Sequence, residues 1–156
     1  MSNEAREDGR KIIVSNRKAR HEYHIEDSVE AGIVLKGSEV KALRDGKVNF
    51  ADAFCKMEGE EMYLLNCHIS PYSHGGYDNH EPRRPRKLLL HRREIERLQK
   101  SAEQQGYTLI PLRFYLKNGL IKLEVGVAKG KKLYDKRSDI AERDAKRRIE
   151  RALRQN

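Results

Sequence analysis

The stretch PLRFYLKNGLIKLEVGV, from Pro111 to Val127, constrains the fold more than any other part of the chain. Apolar side chains alternate with other residues on both sides of Asn118-Gly119, at Leu112, Phe114, Leu116, Ile121, Leu123, Val125 and Val127. A period of two predicts strands with one buried face. Asn-Gly is typical of a two-residue turn in which both residues adopt positive φ. The stretch therefore predicts a β-hairpin, with Tyr115 on the face opposite the apolar residues.

Two other stretches also favour strands. ADAFCKMEGEEMYLLNCHIS predicts a second hairpin that turns around Glu58-Gly59-Glu60, and HEYHIEDSVEAGIVL predicts a strand with a bulge or bend at Gly32. Helices are fewer. One is predicted from Ser38 as N-cap to Gly46, and another within HRREIERLQKSAEQQG, where Ile95, Leu98 and Ala102 form an apolar stripe and Gly106 ends the helix.

These elements predict a mainly β fold. A small antiparallel barrel of the oligonucleotide-binding (OB-like) kind, with two or three peripheral α-helices and a basic C-terminal tail, fits both the length and the charge. The pattern alone leaves other small antiparallel folds open.

Charge indicates the partner. The chain of 156 residues has a net charge of +9, and apolar and charged residues each make up 37% of it. A protein this basic usually binds a polyanion, most often nucleic acid. No segment approaches the roughly 20 apolar residues of a membrane span, and the N-terminus has no apolar signal region. We therefore expect a cytoplasmic protein without a membrane partner.

The charge is concentrated at the C-terminal end. Residues 129–156 contain eleven Lys or Arg against five Asp or Glu. We predict three segments: a disordered N-terminus over residues 1–10, an OB-like RNA-binding barrel over residues 11–128, and a basic tail over residues 129–156. The tail has a thin apolar stripe and a capping-box pattern at Asp139 and Glu142. We expect it to be disordered alone and helical when it enters an RNA-lined groove.

Two stretches of the predicted barrel carry candidate RNA contacts. VSNRKARHEYHI contains Asn16, Arg17, Lys18, Arg20 and His21, which suit contacts to phosphates and to base or ribose edges. The alternative is a solvated entry to the first strand, with Tyr23 in the core. The second stretch is a long loop followed by basic residues that form a plausible backbone clamp: Arg83, Arg84, Arg86, Lys87, Arg92 and Arg93.

Catalysis and metal binding are not favoured. His74 and His80 flank Asp78, but we find no HExxH motif, phosphate-binding glycine loop or nucleophile motif. Cys55 and Cys67 lack a CxxC spacing, which favours buried thiols over zinc ligands. We expect no catalytic residue, no metal site and no cofactor.

Three long motifs, in this order, carry a family resemblance: SNRKARHEYHIEDSVEAGIVLKGSEVKALRDGK, RKLLLHRRE and GVAKGKKLYDKRSDIAERD. From about Ile12 to Arg143 the chain resembles the small protein B family, the SsrA-binding proteins that act with transfer-messenger RNA. The resemblance implies an OB-like barrel that grips the transfer-RNA-like domain of this RNA. It also implies ribosome rescue by trans-translation, in which the protein replaces the missing anticodon arm in the decoding centre.

The resemblance implies site residues and partners as well. RNA-contact positions of the family fall on Asn16, Glu30 and Leu89, and the ribosome-acting motif of the tail falls on Lys131, Lys132, Tyr134, Asp135, Lys136 and Arg137. The implied partners are transfer-messenger RNA and small-subunit ribosomal RNA, with elongation factor Tu engaged only through the RNA complex and the protein itself a monomer. A generic OB-type translation factor and a metal-dependent RNA nuclease remain alternatives.

Overall fold

The computed structural model describes residues 6–7, 9–72, 79–131 and 133–154. Within these ranges the chain forms ten strands and four helices. They are β1 (Arg6–Glu7), β2 (Arg10–Ser15), α1 (Ala19–Glu22), β3 (Tyr23–Ile33), α2 (Gly37–Arg44), β4 (Val48–Asn49), β5 (Phe54–Glu58), β6 (Glu61–Leu65), β7 (His68–Ile69), β8 (Arg86–Leu89), α3 (Arg92–Ala102), β9 (Tyr107–Lys117), β10 (Leu120–Gly130) and α4 (Leu133–Arg154).

Six strands close into a ring. The hydrogen-bonded order is β9, β10, β3, β8, β6 and β5, and β5 returns to β9 where Cys55 pairs with Leu109. All of these pairings are antiparallel. β2 pairs with the other half of β9, and β1 pairs with β2. The predicted mainly β, OB-like barrel with peripheral helices is confirmed.

The barrel interior holds the main core. Its members are apolar side chains from the ring strands and from α2, β7 and α3, among them Leu43, Met62, Leu64, Ile69, Leu88, Leu98, Phe114, Leu123 and Val125. Phe50 stacks on Phe114 with the ring centroids 5.7 Å apart. A second, smaller cluster joins Ala19 of α1 to Ile110, Leu112 and Ala128, so α1 is packed against the outside of β9 and β10.

The two predicted hairpins are confirmed. β9 and β10 are joined at Asn118-Gly119, which have φ of 51° and 78° and leave Lys117 paired with Leu120. β5 and β6 are joined through Gly59, with Glu58 paired with Glu61. The alternation places Tyr115 correctly outside the main core that contains Phe114, but its ring is fully buried there. The Arg10 guanidinium lies 5.0 Å above this ring and covers it on the outer side of β9.

Three local predictions are corrected. The bulge in β3 lies near Glu26, where the register with β10 shifts between Asp27 and Ile25, whereas Gly32 is in register. α2 begins at Gly37, so Lys36 is the N-cap in place of Ser38, and the Lys36 N–H donates to the Glu39 Oε1 at 2.7 Å. α3 ends at Ala102, before Gly106, but its predicted apolar stripe faces the core.

The ends of the chain also differ in detail from the sequence pattern. α4 begins at Leu133, before the predicted capping box at Asp139, and β10 continues to Gly130. β1 lies within the first ten residues. Disorder of residues 1–10 and of the free tail in solution stays a prediction.

Candidate nucleic-acid interface

Asn16 connects the segment before α1 to the barrel wall. Its backbone N–H donates to the Leu112 carbonyl at 2.8 Å, and its Nδ2 donates to the Pro111 carbonyl at 2.9 Å. The register of β9 with β10 shifts at this point, which leaves these carbonyls available. The Oδ1 of Asn16 accepts no hydrogen bond from the described part of the chain, so it can accept one from a base amino group or a ribose hydroxyl.

The four basic residues after Asn16 remain accessible. Arg17, Lys18 and Arg20 are exposed, and His21 is half-buried. Neither Arg17, Lys18 nor Arg20 forms an ion pair with the residues that the structure describes. Arg17 and Lys18 border an open cleft of about 550 Å³ that runs from α1 to Phe50. The sequence prediction of a basic surface here agrees with this arrangement, and binding of RNA to it is a proposal.

The tail begins beside the same cluster. The Lys131 N–H donates to the Glu22 carbonyl at 2.9 Å, and the Lys131 Nζ donates to the Arg20 carbonyl at 2.8 Å. A second cleft of about 410 Å³ separates α1 from α4 and is lined by Arg17, Arg20, His21, Lys131, Glu142, Arg143 and Lys146. Lys131 thus joins two groups of candidates that are more than a hundred residues apart in the sequence.

The other tail candidates follow Lys131 in the sequence. Lys132 lies outside the described residues, and Tyr134, Asp135, Lys136 and Arg137 belong to the first turns of α4 by their backbone alone. Their role stays a prediction.

Glu30 lies at the centre of a polar cluster on β3 and β9. Its Oε1 accepts from the Tyr115 hydroxyl at 2.6 Å, and the Lys117 Nζ lies 3.4 Å from both of its carboxylate oxygens. An Arg10 guanidinium nitrogen lies 3.8 Å from the same Oε1. The hydrogen bond from Tyr115 is the main reason why the pKa of the Glu30 carboxyl is lowered, with Lys117 and Arg10 adding to it. Glu30 is therefore a fixed, ionised acceptor at the surface.

Leu89 lies next to Glu30 on the adjacent strand. Gly32, two residues after Glu30, pairs with Leu89 of β8, and the Leu89 side chain is 52% exposed. A Cβ at Gly32 would lie 3.1 Å from the Leu89 Cβ, so the absence of a side chain there lets the leucine lie flat on β3. Glu30 and Leu89 border one cleft, and the structure brings these two candidates together.

The hypothesis of a basic clamp after the long loop is wrong for two of its arginines. Arg86 is fully buried and donates to the Glu39 Oε2 at 2.5 Å and to the Cys67 carbonyl at 2.6 Å. Arg84 donates to the other oxygen of Glu39. A buried carboxylate requires such partners, and these cations are occupied in the fold. Lys87, in contrast, stays at the surface, with its Nζ 3.7 Å from the Glu61 Oε1.

The histidine and cysteine candidates have structural roles where they are described. His80 is buried, its Nδ1 lies 2.8 Å from the Ser38 hydroxyl and its Nε2 lies 2.8 Å from the Ile69 carbonyl. Because a carbonyl oxygen only accepts, Nε2 carries a proton and donates to Ile69. Cys55 and Cys67 are buried free thiols, and burial raises the pKa of Cys67 to about 12. His74 and Asp78 lie outside the described residues.

Two other kinds of site are absent from the described ranges. No group of three or more His, Cys, Asp or Glu side chains there is arranged to hold a metal ion. No helix in the same part of the chain has the length and apolarity needed to cross a membrane.

A comparison with family models decides the relationship. The model described as SmpB protein matches residues 13–155. The chain belongs to the SmpB family. The last dozen residues, which the sequence motifs left outside the resemblance, lie almost entirely within this match.

Individual members of the SmpB family are similar over nearly the whole chain. An SsrA-binding protein of Geobacillus thermodenitrificans (strain NG80-2) is 57% identical over 145 residues, which cover 93% of this chain and 94% of that protein. An SsrA-binding protein of Acidothermus cellulolyticus (strain ATCC 43068 / DSM 8971 / 11B) is 56% identical over 149 residues, covering 96% and 94%. A chain from a solved structure described as "tmRNA-SmpB: a journey to the center of the bacterial ribosome" has 51% sequence identity and a TM-score of 0.67, and the match covers 77% of this chain and 85% of that chain.

Sequence reasoning missed the residues that hold Glu30 and Leu89 in position. Tyr115 and Lys117 bind Glu30 from β9, Arg10 approaches from β2, and Gly32 supports Leu89. The strand-to-strand register brings these residues together, and a single sequence does not contain that register. One signal was present, since Tyr115 interrupts the alternation of polar residues on its face of the hairpin.

Proposed function

We propose that this chain is an RNA-binding factor of ribosome rescue. It binds the transfer-RNA-like domain of transfer-messenger RNA and delivers that RNA to stalled ribosomes for trans-translation. Membership of the SmpB family is the observation that carries this proposal. The relatives named above are SsrA-binding proteins, and the similar solved chain comes from a study of tmRNA-SmpB and the bacterial ribosome. Work on the ribosome implies a cytoplasmic location.

The chemistry of the surface supports an RNA ligand. Arg17, Lys18, Arg20 and Lys87 are cations suited to the phosphate backbone, and Asn16 and His21 are suited to base or ribose edges. Glu30 repels phosphate, but its oriented carboxylate can accept from a base amino group or a 2′-hydroxyl. Exposed Leu89 offers an apolar surface beside it for an unstacked base. The combination matches the recognition of folded RNA better than uniform attraction to any polyanion.

We propose separate roles for the barrel and the tail, in line with the concentration of positive charge in the tail. The barrel binds transfer-messenger RNA, and the tail acts in the decoding centre and the messenger channel through Lys131, Lys132, Tyr134, Asp135, Lys136 and Arg137. Cations of the tail neutralise ribosomal phosphates, and Tyr134 stacks on a base of small-subunit ribosomal RNA. The protein acts as a monomer without a cofactor or catalytic residue of its own, and it meets elongation factor Tu only through the RNA complex.

Recovery of the RNA from the native complex tests this proposal. The chain is purified from its host and the bound RNA is sequenced, with strong enrichment of transfer-messenger RNA as the expected result. Enrichment of other RNA without transfer-messenger RNA overturns the proposal and favours a generic translation factor. A second assay incubates the protein with RNA and magnesium or zinc. Sustained cleavage that a chelator abolishes overturns it in favour of a nuclease.

A further inference from the structure

Three residues form a row across three neighbouring strands beside the proposed RNA site. Lys122 of β10 pairs with Gly32 of β3, and Gly32 pairs with Leu89 of β8. All three border two separate clefts, one on each side of the row. Because the Leu89 side chain lies over Gly32, it forms a ridge between these clefts. The surface at this end of the barrel therefore has two compartments.

The two compartments differ in chemistry. The first has a volume of about 370 Å³ and contains the polar groups of Glu30, His91 and Glu94. The second, which we call the Leu120 slot, has a volume of about 270 Å³. Its walls are mainly apolar and its two charged residues are basic: Ile33, Leu35, Val40, Leu89, Leu120 and Ile121, with Arg44 and Lys122. The slot is separate from the Glu30 cleft, and the proposed function assigns it no role.

Two exposed leucines face the Leu120 slot. Leu120, next to the hairpin turn, is 60% exposed, and Leu89 is 52% exposed. Single exposed apolar residues are common and need no explanation, whereas exposed apolar residues that lie together are typical of a binding surface. Neither Arg44 nor Lys122 forms an ion pair with the described part of the chain. Apolar walls beside unpaired cations match a nucleobase and its phosphate.

We propose that the Leu120 slot binds an unstacked nucleobase of the RNA. Leu89 then separates two neighbouring nucleotides, one with its edge toward Glu30 and the other with its face on Leu120. The flanking phosphate lies against Lys122 and Arg44. This inference rests on the proposed function, because it extends the same RNA surface by one compartment. RNA is favoured over a protein partner because both charged residues of the slot are basic and because the slot adjoins the Glu30 cleft through Leu89.

A matched pair of variants tests the slot. Leu120→Ser removes one apolar wall, whereas Val34→Ser changes an apolar residue that is 45% exposed but does not border the slot. Affinity is measured by titration of the full chain with the transfer-RNA-like domain of transfer-messenger RNA. Leu120→Ser is expected to weaken binding about five- to tenfold, the lower range for loss of a stacked base, and Val34→Ser is expected to leave it unchanged. Thermal unfolding checks that both variants fold like the wild type.

The outcomes separate this inference from the proposed function. If Glu30→Ala and Leu89→Asp weaken binding but Leu120→Ser does not, the slot proposal is overturned and the proposed function stands. If the wild type itself does not bind this RNA domain, the proposed function fails first. A photoreactive residue at position 120 gives a second readout, with a crosslink to a single nucleotide expected. Crosslinks to a ribosomal protein alone also overturn the slot proposal.

Discussion

The Tyr115 hydroxyl donates to the Glu30 Oε1 at 2.6 Å, and this bond fixes the carboxylate that we propose contacts RNA. The bond joins a residue of β9, whose ring is fully buried, to a residue at the surface of β3. Burial raises the pKa of the Tyr115 phenol, and the neighbouring Glu30 carboxylate raises it further, so the hydroxyl remains a donor throughout the physiological range. The proposed recognition by Glu30 therefore depends on a side chain whose ring is buried within the fold.

Tyr115→Phe tests this dependence. The variant keeps the ring under Arg10 but removes the donor, so the pKa of Glu30 is expected to rise toward its ordinary value. Affinity for the transfer-RNA-like domain is expected to fall several-fold, because the hydrogen bond that holds the Glu30 carboxylate in one orientation is lost. NMR titration of the Glu30 carboxyl and a binding titration measure the two effects.

Tyr107→Phe is the matched control for that change. The Tyr107 hydroxyl also donates to a glutamate, the Glu26 Oε1 at 2.9 Å, but this pair lies toward the opposite end of β3. The control is expected to change neither the pKa of Glu30 nor RNA affinity. If the two substitutions lowered RNA affinity equally, the hydrogen bond from Tyr115 to Glu30 would not be the cause of the loss.

Gly32→Ala is expected to weaken RNA binding by moving Leu89. The new Cβ would lie 3.1 Å from the Leu89 Cβ, which is attached directly to the backbone and cannot rotate away. We expect a loss of affinity of about three- to tenfold and a decrease of about 1 kcal/mol in the free energy of unfolding. Gly37→Ala is the control, since no atom lies within 4 Å of its added Cβ. Wild-type affinity in Gly32→Ala would contradict the proposed position of Leu89.

The sequence predicted the hairpins well because their information is local. Asn118-Gly119 and the flanking alternation determine β9 and β10 without help from the rest of the chain. Two contacts that differ from prediction are long-range. Arg86 is part of a basic run in the sequence, yet it is buried because Glu39, 47 residues away, is brought beside it. Ser38 resembles an N-cap, yet its hydroxyl binds His80.

The same distinction applies to the candidate site. Composition indicated the cations around α1, since charge is visible in a single sequence. The family resemblance was needed for Glu30 and Leu89, because neither a lone carboxylate nor a leucine within an apolar triplet has a local signature. The register of Lys122, Gly32 and Leu89 comes only from the folded sheet.

Glu39→Gln is expected to destabilise the fold. It is expected to leave the RNA affinity of the folded protein unchanged. Glu39 and Arg86 are both fully buried. The substitution removes the negative charge that pairs with both Arg84 and Arg86, so the positive charge of the buried Arg86 is no longer compensated. Breaking such a pair costs about 3–5 kcal/mol of unfolding free energy. Glu96→Gln is the control, because its ion pair with Arg92 is mostly exposed and contributes at most about 1 kcal/mol. Chemical denaturation at pH 7 measures both.

The effect of Glu39 also has a defined pH dependence. Burial alone would raise the pKa of its carboxyl, but hydrogen bonds from Arg84, the Lys36 backbone and Arg86 lower it below its ordinary value of 4.5. The folded state therefore binds the proton less tightly than the unfolded state, and this contribution to stability is present above pH 4.5 and lost as the pH falls through the folded-state pKa. The stability difference between wild type and Glu39→Gln is expected to decrease below about pH 4.5. A constant difference down to strong acid would rule out this mechanism.

The tail variants separate binding of the RNA from action on the ribosome. Lys131→Ala combined with Lys132→Ala, or Tyr134→Ala alone, is expected to leave affinity for transfer-messenger RNA nearly unchanged and to abolish tagging on stalled ribosomes. Loss of Lys131 is expected to affect tagging because of its position at the start of the tail. Its Nζ donates to the Arg20 carbonyl at 2.8 Å, and this bond fixes the direction in which the tail leaves the barrel. Gel-shift and peptide-tagging assays measure the two activities.

Lys56→Ala combined with Lys100→Ala is the control for this loss of charge, because both lysines are exposed and border none of the clefts described above. The control is expected to keep both activities. Lys131 also borders the cleft with Arg17 and Arg20, so the alternative outcome is that the tail variants weaken RNA binding as well. If the tail variants weaken RNA binding as strongly as Glu30→Ala does, the barrel and the tail act as one RNA-binding surface, and the proposed division between them is wrong.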